Sequence, residues 1–505
     1  MEGACSIMEI KDVLGDIKYE IVRRGKDTEV SSIEINSLNI IEGSMFIAVV
    51  GNKEDGHKYI ADACKKGAKY IVMNYAKKGV IEGLAYDDVT FILVKDTRLC
   101  LSRIANNFYG KPSESFKLIG VTGTNGKTSV TTMVHQVLLR LGYNVGLIGT
   151  IHDYVNNEIV NVNKTTATTP DCIELGKIMK IFKEKKIDIA LMEVSSMALK
   201  NHRVDECKFD IVAFNNISPE HLDDHKTMDD YKKSKLLLFG MADKAIINLD
   251  DDFSGEVLKK CNGTTIKYGI KRKAECDVYA DDIKYSTDKV EFNVFFNNDR
   301  ELVSIYTPSE FAIYNTLATI SICIMAGIKF VDIVHMLEKD IPIEGRYDVV
   351  RTCDEFSAIV DYAHTPVACE NILKAIRTNQ AYKRIITVFG CGGDRDRSKR
   401  SVMGEVCQRL SDYVIITSDN PRTEEPRQIF EDILEGINKD NNNYKVVEDR
   451  EKAINYAVQY AQHGDVIVIL GKGHEKIQIM NGYTKKFDDK EVFCKAAKNH
   501  INSNV

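Results

Sequence analysis

The chemistry-bearing residues of this chain gather first in Gly123-Thr124-Asn125-Gly126-Lys127-Thr128-Ser129. A glycine loop behind a strand and ahead of a helix turns backbone N–H groups and a helix N-terminus toward phosphate. Leu118-Ile119-Gly120-Val121 is the apolar run of a buried parallel strand, and residues 130–141 read as a helix. Lys127 can then reach terminal phosphates, and the Thr128 hydroxyl can take a place on Mg²⁺. The spacing G-x-x-G-K-T is two residues tighter than the general G-x-x-x-x-G-K-[ST] loop. A short match of this kind also fits an ordinary glycine turn; the flanking strand and helix favour ATP.

Further clusters close other apolar runs, where ligands bind in open parallel sheets. Met192-Glu193-Val194-Ser195-Ser196 would bring Glu193 out beside the phosphate loop, placed to hold a metal or simply to neighbour a helix start. In residues 215–225, His221 and His225 stand four apart among carboxylates, without an H-E-x-x-H order or a third ligand for zinc. A hard Mg²⁺ site using one histidine and phosphate oxygens fits better, against the alternative of a solvated face. In residues 231–239, Lys232 and Lys233 read as the basic face of an amphipathic helix, whereas Lys235 precedes the apolar run and points inward. A last set, at 361–364, 392–396, 419–422 and 471–475, carries charge after four successive apolar strands. Turn chemistry explains any one of these; four on one sheet edge argue for a polar ligand.

The elements that must position these residues follow an α/β pattern. Residues 1–112 mix short strands (44–50 and 68–73) with helices at 57–66 and 99–109, and end in the turn cluster Gly110-Lys111-Pro112-Ser113. From 113 to 345, strands at 116–122, 145–150, 187–193, 210–214 and 244–248 alternate with helices, the pattern of a doubly wound parallel sheet. Residues 264–307 break it with alternating segments and are expected to be an antiparallel insertion. A second α/β pattern fills 346–505, with strands at 356–361, 384–389, 412–417 and 465–469.

Composition narrows the class. At 505 residues the chain exceeds one core and is expected to hold about three domains. Hydrophobic content of 44% with 28% charged residues is that of a globular protein. A net charge of −6 gives no electrostatic case for nucleic acid or an anionic membrane. No apolar run reaches the ~20 residues of a membrane span, and the first residues lack the basic-then-apolar order of a signal peptide. The 13 cysteines are scattered without a C-x-x-C, which fits free thiols in a reducing cytoplasm.

In order and spacing, TGTNGKTS, TTPD (Thr168 to Asp171), MEVSSMALKNHRV, EHLDDH, EGRYD, VDYAHTP, GCGGDRD, SDNPRTEEP and GKGHE resemble the Mur ligase family. The likeness is greatest to its MurE type, which joins meso-diaminopimelate to a UDP-N-acetylmuramoyl-dipeptide, and it runs from about residue 30 to 490. It implies a UDP-sugar-binding N-terminal domain, a central ATP-binding domain and a C-terminal Rossmann-like domain that binds the amino acid. By position, Gly123, Thr124, Asn125, Gly126, Lys127, Thr128 and Ser129, with Asn315, Arg346 and Asp361, match ATP contacts. Thr128, Glu193 and His221 resemble the metal ligands, and Lys235 matches the lysine whose carbamate supports a second Mg²⁺. Lys127, Lys235, His221 and Glu193 are thus the catalytic set. Ser37, Thr168, Thr169, Ser195 and Arg203 match positions that grip the UDP-sugar peptide. Arg395, Asp419, Asn420, Arg422, Gly471 and Glu475 match the amino-acid pocket.

The chemistry implied is ligation through an acyl phosphate, by a cytoplasmic monomer with no nucleic-acid or membrane partner. The chain departs from the family where D-S-R becomes Asn36-Ser37-Leu38, and at Ala312, Val367 and Ser401. Two other readings stay open: a paralogous ATP-dependent amide ligase with another acceptor or amino acid, such as L-lysine, and a non-catalytic nucleotide-binding regulator.

Overall fold

In the computed structural model, which describes residues 8–26, 28–51, 54–220, 222–286, 289–351, 355–378 and 382–503, the strand Lys117–Thr122 runs through the centre of the largest sheet. Side chains alternate along a strand, and here they feed two cores. Ile119 and Val121 pack with the helices Lys127–Arg140, Glu310–Ala326 and Phe330–Leu337, while Leu118 faces the opposite core with the helix Cys172–Glu184. The neighbouring strand Ile189–Glu193 divides in the same way, Ile189 and Leu191 to one side, Ala190 and Met192 to the other. Gly120 is glycine because a Cβ there would stand 2.7 Å from the Phe209 ring.

Among the described residues this sheet has 11 strands. Its parallel centre runs in the order Thr264–Gly269, Lys244–Asn248, Ile211–Phe214, Lys117–Thr122, Ile189–Glu193, Val145–Ile148. The short strands Tyr154–Val155 and Glu158–Ile159 extend one edge antiparallel. The region 264–307 differs from expectation. Its first strand continues the parallel ladder, and Val278–Tyr285 begins parallel to it. Only the pairings among Val278–Tyr285, Val290–Phe296 and Asp299–Ile305 are antiparallel, and they prolong the main sheet instead of forming a separate insertion. The alternation Val290, Phe292, Val294 marks one buried face of a strand but carries no information about its partner's direction.

Among the described residues the N-terminal sheet has 5 strands and the C-terminal sheet 6, each with a core on both faces. The expected strand 44–50 is shorter, Met45–Ile47, and the expected helix 57–66 opens as a 3₁₀ turn, Gly56–Tyr59, before Ile60–Lys65. The C-terminal sheet gains two strands absent from the sequence reading: the antiparallel Asp348–Val350 and the edge Tyr444–Val446. Its central strands lie in the order Ser357–Asp361, Val466–Leu470, Ile385–Phe389, Tyr413–Ile416, all parallel, so the four charged turns that follow them share one edge. No helix among the described residues is long and apolar enough to cross a membrane.

Candidate active site

Strand register places the phosphate loop between two other strand ends. Glu193 stands beside Val121, and Phe214 beside Thr122. Gly126 adopts φ +83°, and the helix Lys127–Arg140 starts there without a side-chain cap, leaving its first N–H groups to a ligand. A Cβ on Gly126 would lie 2.5 Å from Asn315 Oδ1, so Asn315 reaches the loop from the helix Glu310–Ala326. The segment 215–218 braces the other flank: Thr124 N donates to Asn216 O and Asn125 N to Asn216 Oδ1, both at 2.9 Å. Lys127 Nζ donates to Gly123 O and Thr124 O, each at 2.9 Å. Burial pushes its pKa down, as does Arg346, against Glu220 and Glu193.

Glu193 is 1% exposed and accepts three hydrogen bonds: from Thr128 Oγ1 at 2.9 Å, Thr150 N at 2.8 Å and Thr150 Oγ1 at 2.8 Å. Thr150 lies two residues past the end of the adjacent strand Val145–Ile148, and its part in the site escaped the sequence reading, although a hydroxyl at the end of the expected strand 145–150 is a visible signal. Thr169 and Ser195 join the same network: Thr169 Oγ1 donates to Glu193 O at 2.8 Å, and Ser195 N donates to Thr169 Oγ1 at 2.9 Å. Thr168 Oγ1 lies 3.2 Å from Thr150 Oγ1, and Arg203 Nη1 donates to Thr169 O at 3.2 Å. Ser37 stays within the N-terminal domain, its carbonyl accepting from Lys66 Nζ at 3.0 Å.

Lys235 is 1% exposed, with Nζ 4.7 Å from the Tyr231 ring centroid; Lys233 is exposed. Burial holds its pKa well below the ordinary lysine value, Lys127 acts in the same sense, and Glu220 opposes them. His221 lies outside the described residues. Among the described residues no three His, Cys, Asp or Glu side chains gather as a metal site. Thr128 and Glu193 are nonetheless hard oxygen donors beside a phosphate loop, the ligand type that Mg²⁺ takes together with phosphate oxygens.

A cavity of about 820 Å³ opens in front of the loop. Gly126 and Asn315 line it from the central domain, and Arg346, Asp361 and His364 from the C-terminal side. Asp361 accepts from Tyr347 N and Ala363 N, both at 2.7 Å, while burial raises its pKa against the pull of Arg346. Arg346 lies over the Tyr362 ring at 4.5 Å, and its buried Nε finds no hydrogen-bond partner among the described residues. An orphaned guanidinium N–H on the wall of a phosphate-loop cavity fits a nucleotide. Glu220, unassigned from sequence, bridges the domains to His364 at 3.2 Å.

The charged turns of the C-terminal sheet meet as the strand order requires. Asn420 Nδ2 donates to Glu475 Oε2 at 2.9 Å, and Arg422 Nη1 to Gly393 O at 2.8 Å. Arg422 adopts φ +53°, a strained conformation for a side-chain-bearing residue and one that collects at functional sites. Glu424, two residues beyond Arg422, pairs with the buried Arg400 at 2.8 Å. Gly471 has φ +111°, and a Cβ there would meet Asp419 Oδ2 at 2.5 Å. Burial raises the pKa of Asp419, with Lys472 and Arg450 opposing. Arg395 is half exposed and reaches Asp223 of the central domain at 3.7 Å.

Comparison with known proteins agrees with this arrangement. Family models match along the chain: "Mur ligase family, catalytic domain" at residues 29–109, "Mur ligase middle domain" at 121–323 and "Mur ligase, glutamate ligase domain" at 345–473. The UDP-N-acetylmuramoyl-L-alanyl-D-glutamate–2,6-diaminopimelate ligase of Clostridium botulinum is 42% identical over 487 residues, 96% of this chain and 98% of that protein. Its namesake from Clostridioides difficile is 42% identical over 490 residues, with the same coverage of 96% and 98%. A solved structure of a ligase bearing that name superposes with TM-score 0.67 at 28% identity, covering 98% of this chain and 99% of the other. A MurF ligase from Thermotoga maritima, solved with ADP, shares the fold at TM-score 0.64 and 18% identity. With three domain models matched in order and relatives of this identity along nearly its whole length, the chain belongs to the Mur ligase family.

Proposed function

We propose that the protein is an ATP-dependent amide ligase that joins meso-diaminopimelate to UDP-N-acetylmuramoyl-L-alanyl-D-glutamate in peptidoglycan precursor synthesis. The observation that carries this reading is the meeting of two half-sites. A phosphate loop with a buried carboxylate, Glu193, lies in the central domain, and a turn cluster rich in both charges, with Arg395, Arg422, Asp419 and Glu475, crowns the C-terminal sheet. Both halves come from one chain, which fits the proposed monomer; the reading also has it act in the cytoplasm. The names borne by the relatives supply the substrates.

A carboxylate is a poor electrophile, so activation comes first. The terminal carboxylate of the acceptor attacks the γ-phosphorus of ATP, ADP leaves, and an acyl phosphate forms. The amine of the incoming amino acid adds to the acyl carbon, loses a proton, and phosphate departs through a tetrahedral intermediate. Lys127 and Arg346 offset phosphoryl charge, and the half-sites hold the reactants in position. Thr128 and Glu193, with His221 and a carbamate on Lys235, are the residues that would hold Mg²⁺, two ions in all. When bound, Mg²⁺ supplies further neutralisation of the phosphoryl oxygens. The carbamate is supported by the burial of Lys235, since CO₂ adds to a neutral amine and the product offers hard oxygen ligands. A second acceptor is favoured by one observation: Asn36 spends its side chain on Leu38 N at 3.0 Å, and Leu38 is 75% exposed, so neither supplies the charges of the family's D-S-R.

The test is phosphate release dependent on both acceptor and amino acid, with UDP-N-acetylmuramoyl-L-Ala-D-Glu offered diaminopimelate or lysine. Release with diaminopimelate well above lysine is expected. Release with lysine alone, or none with this acceptor, overturns the assignment.

A further inference from the structure

Lys472 is the one fully buried lysine of the C-terminal turn cluster, with no exposed surface. Its Nζ donates to Asn420 Oδ1 at 3.1 Å, Glu475 Oε2 at 2.9 Å and Ile477 O at 2.7 Å. Three acceptors use all three N–H groups of an ammonium, so none is left for a ligand. Asn420 Oδ1 also accepts from Ile479 N at 2.9 Å, which fixes the amide orientation and turns Nδ2 toward Glu475 Oε2 at 2.9 Å. Glu475 therefore receives both bonds on Oε2, and Oε1 takes neither of them.

We propose that Lys472 is a positioning residue for the amino-acid pocket, orienting Asn420 and holding Glu475 by Oε2 so that Glu475 receives the ammonium group of the incoming amino acid. This rests on the function proposed above. Asp419, Asp489 and Arg450 also interact with this group, so Glu475 sits among charges of both signs and Lys472 is the cation bonded directly to it. Burial drives the Glu475 pKa up, yet the charge and hydrogen bond of Lys472 and the bond from Asn420 bring it below the ordinary value. The other groups facing it are His474, Tyr362, Asp419 and Arg450. Without Lys472, burial and the neighbouring carboxylate Asp419 push the Glu475 pKa upward, with Asn420 and His474 still opposing. A carboxyl that is no longer pinned, and that protonates at higher pH than before, holds an ammonium less well.

The experiment compares wild type with Lys472→Met, Glu475→Gln and the double variant, measuring KM for each of the three substrates between about pH 5 and about 9. In Lys472→Met, KM for the amino acid should rise about tenfold or more at the acid end of the range and fall as pH rises through the raised Glu475 pKa. KM for ATP and for the acceptor should stay within about twofold. Glu475→Gln should show a raised amino-acid KM without that pH dependence, and the double variant should be no worse than Glu475→Gln. Equal losses for all three substrates, a flat pH profile in Lys472→Met, or multiplied losses in the double variant overturn the proposal. If Lys472→Met fails to fold, Asn420→Asp reads the same network. It sets a carboxylate oxygen against Glu475 and should impose the same pH-dependent KM, and wild-type behaviour there refutes the idea. Wild type that releases phosphate with lysine instead corrects the function while leaving Lys472 testable on lysine. No amino-acid-dependent release at all fails the function itself, and this inference with it.

Discussion

Two side chains set the chemistry that the residue scale can test. Lys127 sits at the start of the phosphate loop's helix with its ammonium held by loop carbonyls, and packs no core. Lys127→Ala should reduce turnover by roughly 10³-fold or more with an unchanged unfolding midpoint. Near-normal phosphate release from a folded variant would remove the ATP reading. Arg422 is the candidate discriminator of the amino acid, because diaminopimelate exceeds lysine by one carboxylate and a guanidinium binds carboxylate through paired N–H donors. Its Nη1 is anchored by Gly393 O at 2.8 Å and Asn420 O at 3.4 Å, and it has no acidic competitor in Glu424, which Arg400 occupies. Charge-assisted hydrogen bonds contribute about 1.5–3 kcal/mol, and a stranded buried carboxylate adds its desolvation cost. Arg422→Ala should lower kcat/KM for diaminopimelate by about 10²-fold and that for lysine much less. Equal loss with both amino acids would reassign the residue to a structural role.

At the scale of elements, the loop works because its helix starts on a left-handed glycine. Gly126 combines φ +83° with a Cβ position 2.5 Å from Asn315 Oδ1. Gly126→Ala carries the left-handed penalty of about 1–2 kcal/mol and displaces a side chain at the nucleotide, so KM for ATP should rise about tenfold. Gly327 is the control: it ends the helix Glu310–Ala326 at φ +100°, with nothing within 4 Å of its Cβ position. Gly327→Ala should lose similar stability and keep the wild-type KM for ATP. ATP titrations and thermal melts on both variants separate strain from site damage.

Across the whole molecule, the nucleotide cavity belongs to two domains at once. Asn315 and Gly126 supply one wall, and Arg346, Asp361 and His364 the other. A ligand that bridges domains and binds only the folded state stabilises it, by about 2.7 kcal/mol at a hundred times its Kd. ATP with Mg²⁺ should therefore raise the melting temperature of wild type. Arg346→Ala should show a much smaller ATP-induced rise over its own unliganded melting temperature, since it removes the guanidinium whose Nε finds no partner on the far wall. An undiminished rise would place the nucleotide elsewhere. The N-terminal domain is tied in through packing: Cys172 and Ile173 of the helix Cys172–Glu184 lie in its core, and Arg98 meets Asp171 at 3.4 Å.

By itself, the sequence determined the family, the phosphate loop, the inward turn of Lys235 and the four charged turns of the C-terminal sheet. These are local: glycines, a lysine and strand ends at short spacing carry their own geometry, and apolar runs reveal which strands are buried. What only the tertiary structure decided depends on strand order and on distant partners. Pairing direction in 264–307 is invisible to alternation, since a buried face looks alike in parallel and antiparallel ladders. Thr150 joins Glu193 from 43 residues away, because adjacent strands end together. Lys472 reads as one more charged turn residue until Asn420, 52 residues earlier, and the hairpin at Ile477–Met480 close over it. Arg400 is chosen by Glu424 over Arg422 because its helix brings the guanidinium under the turn, fully buried, where a carboxylate must meet it.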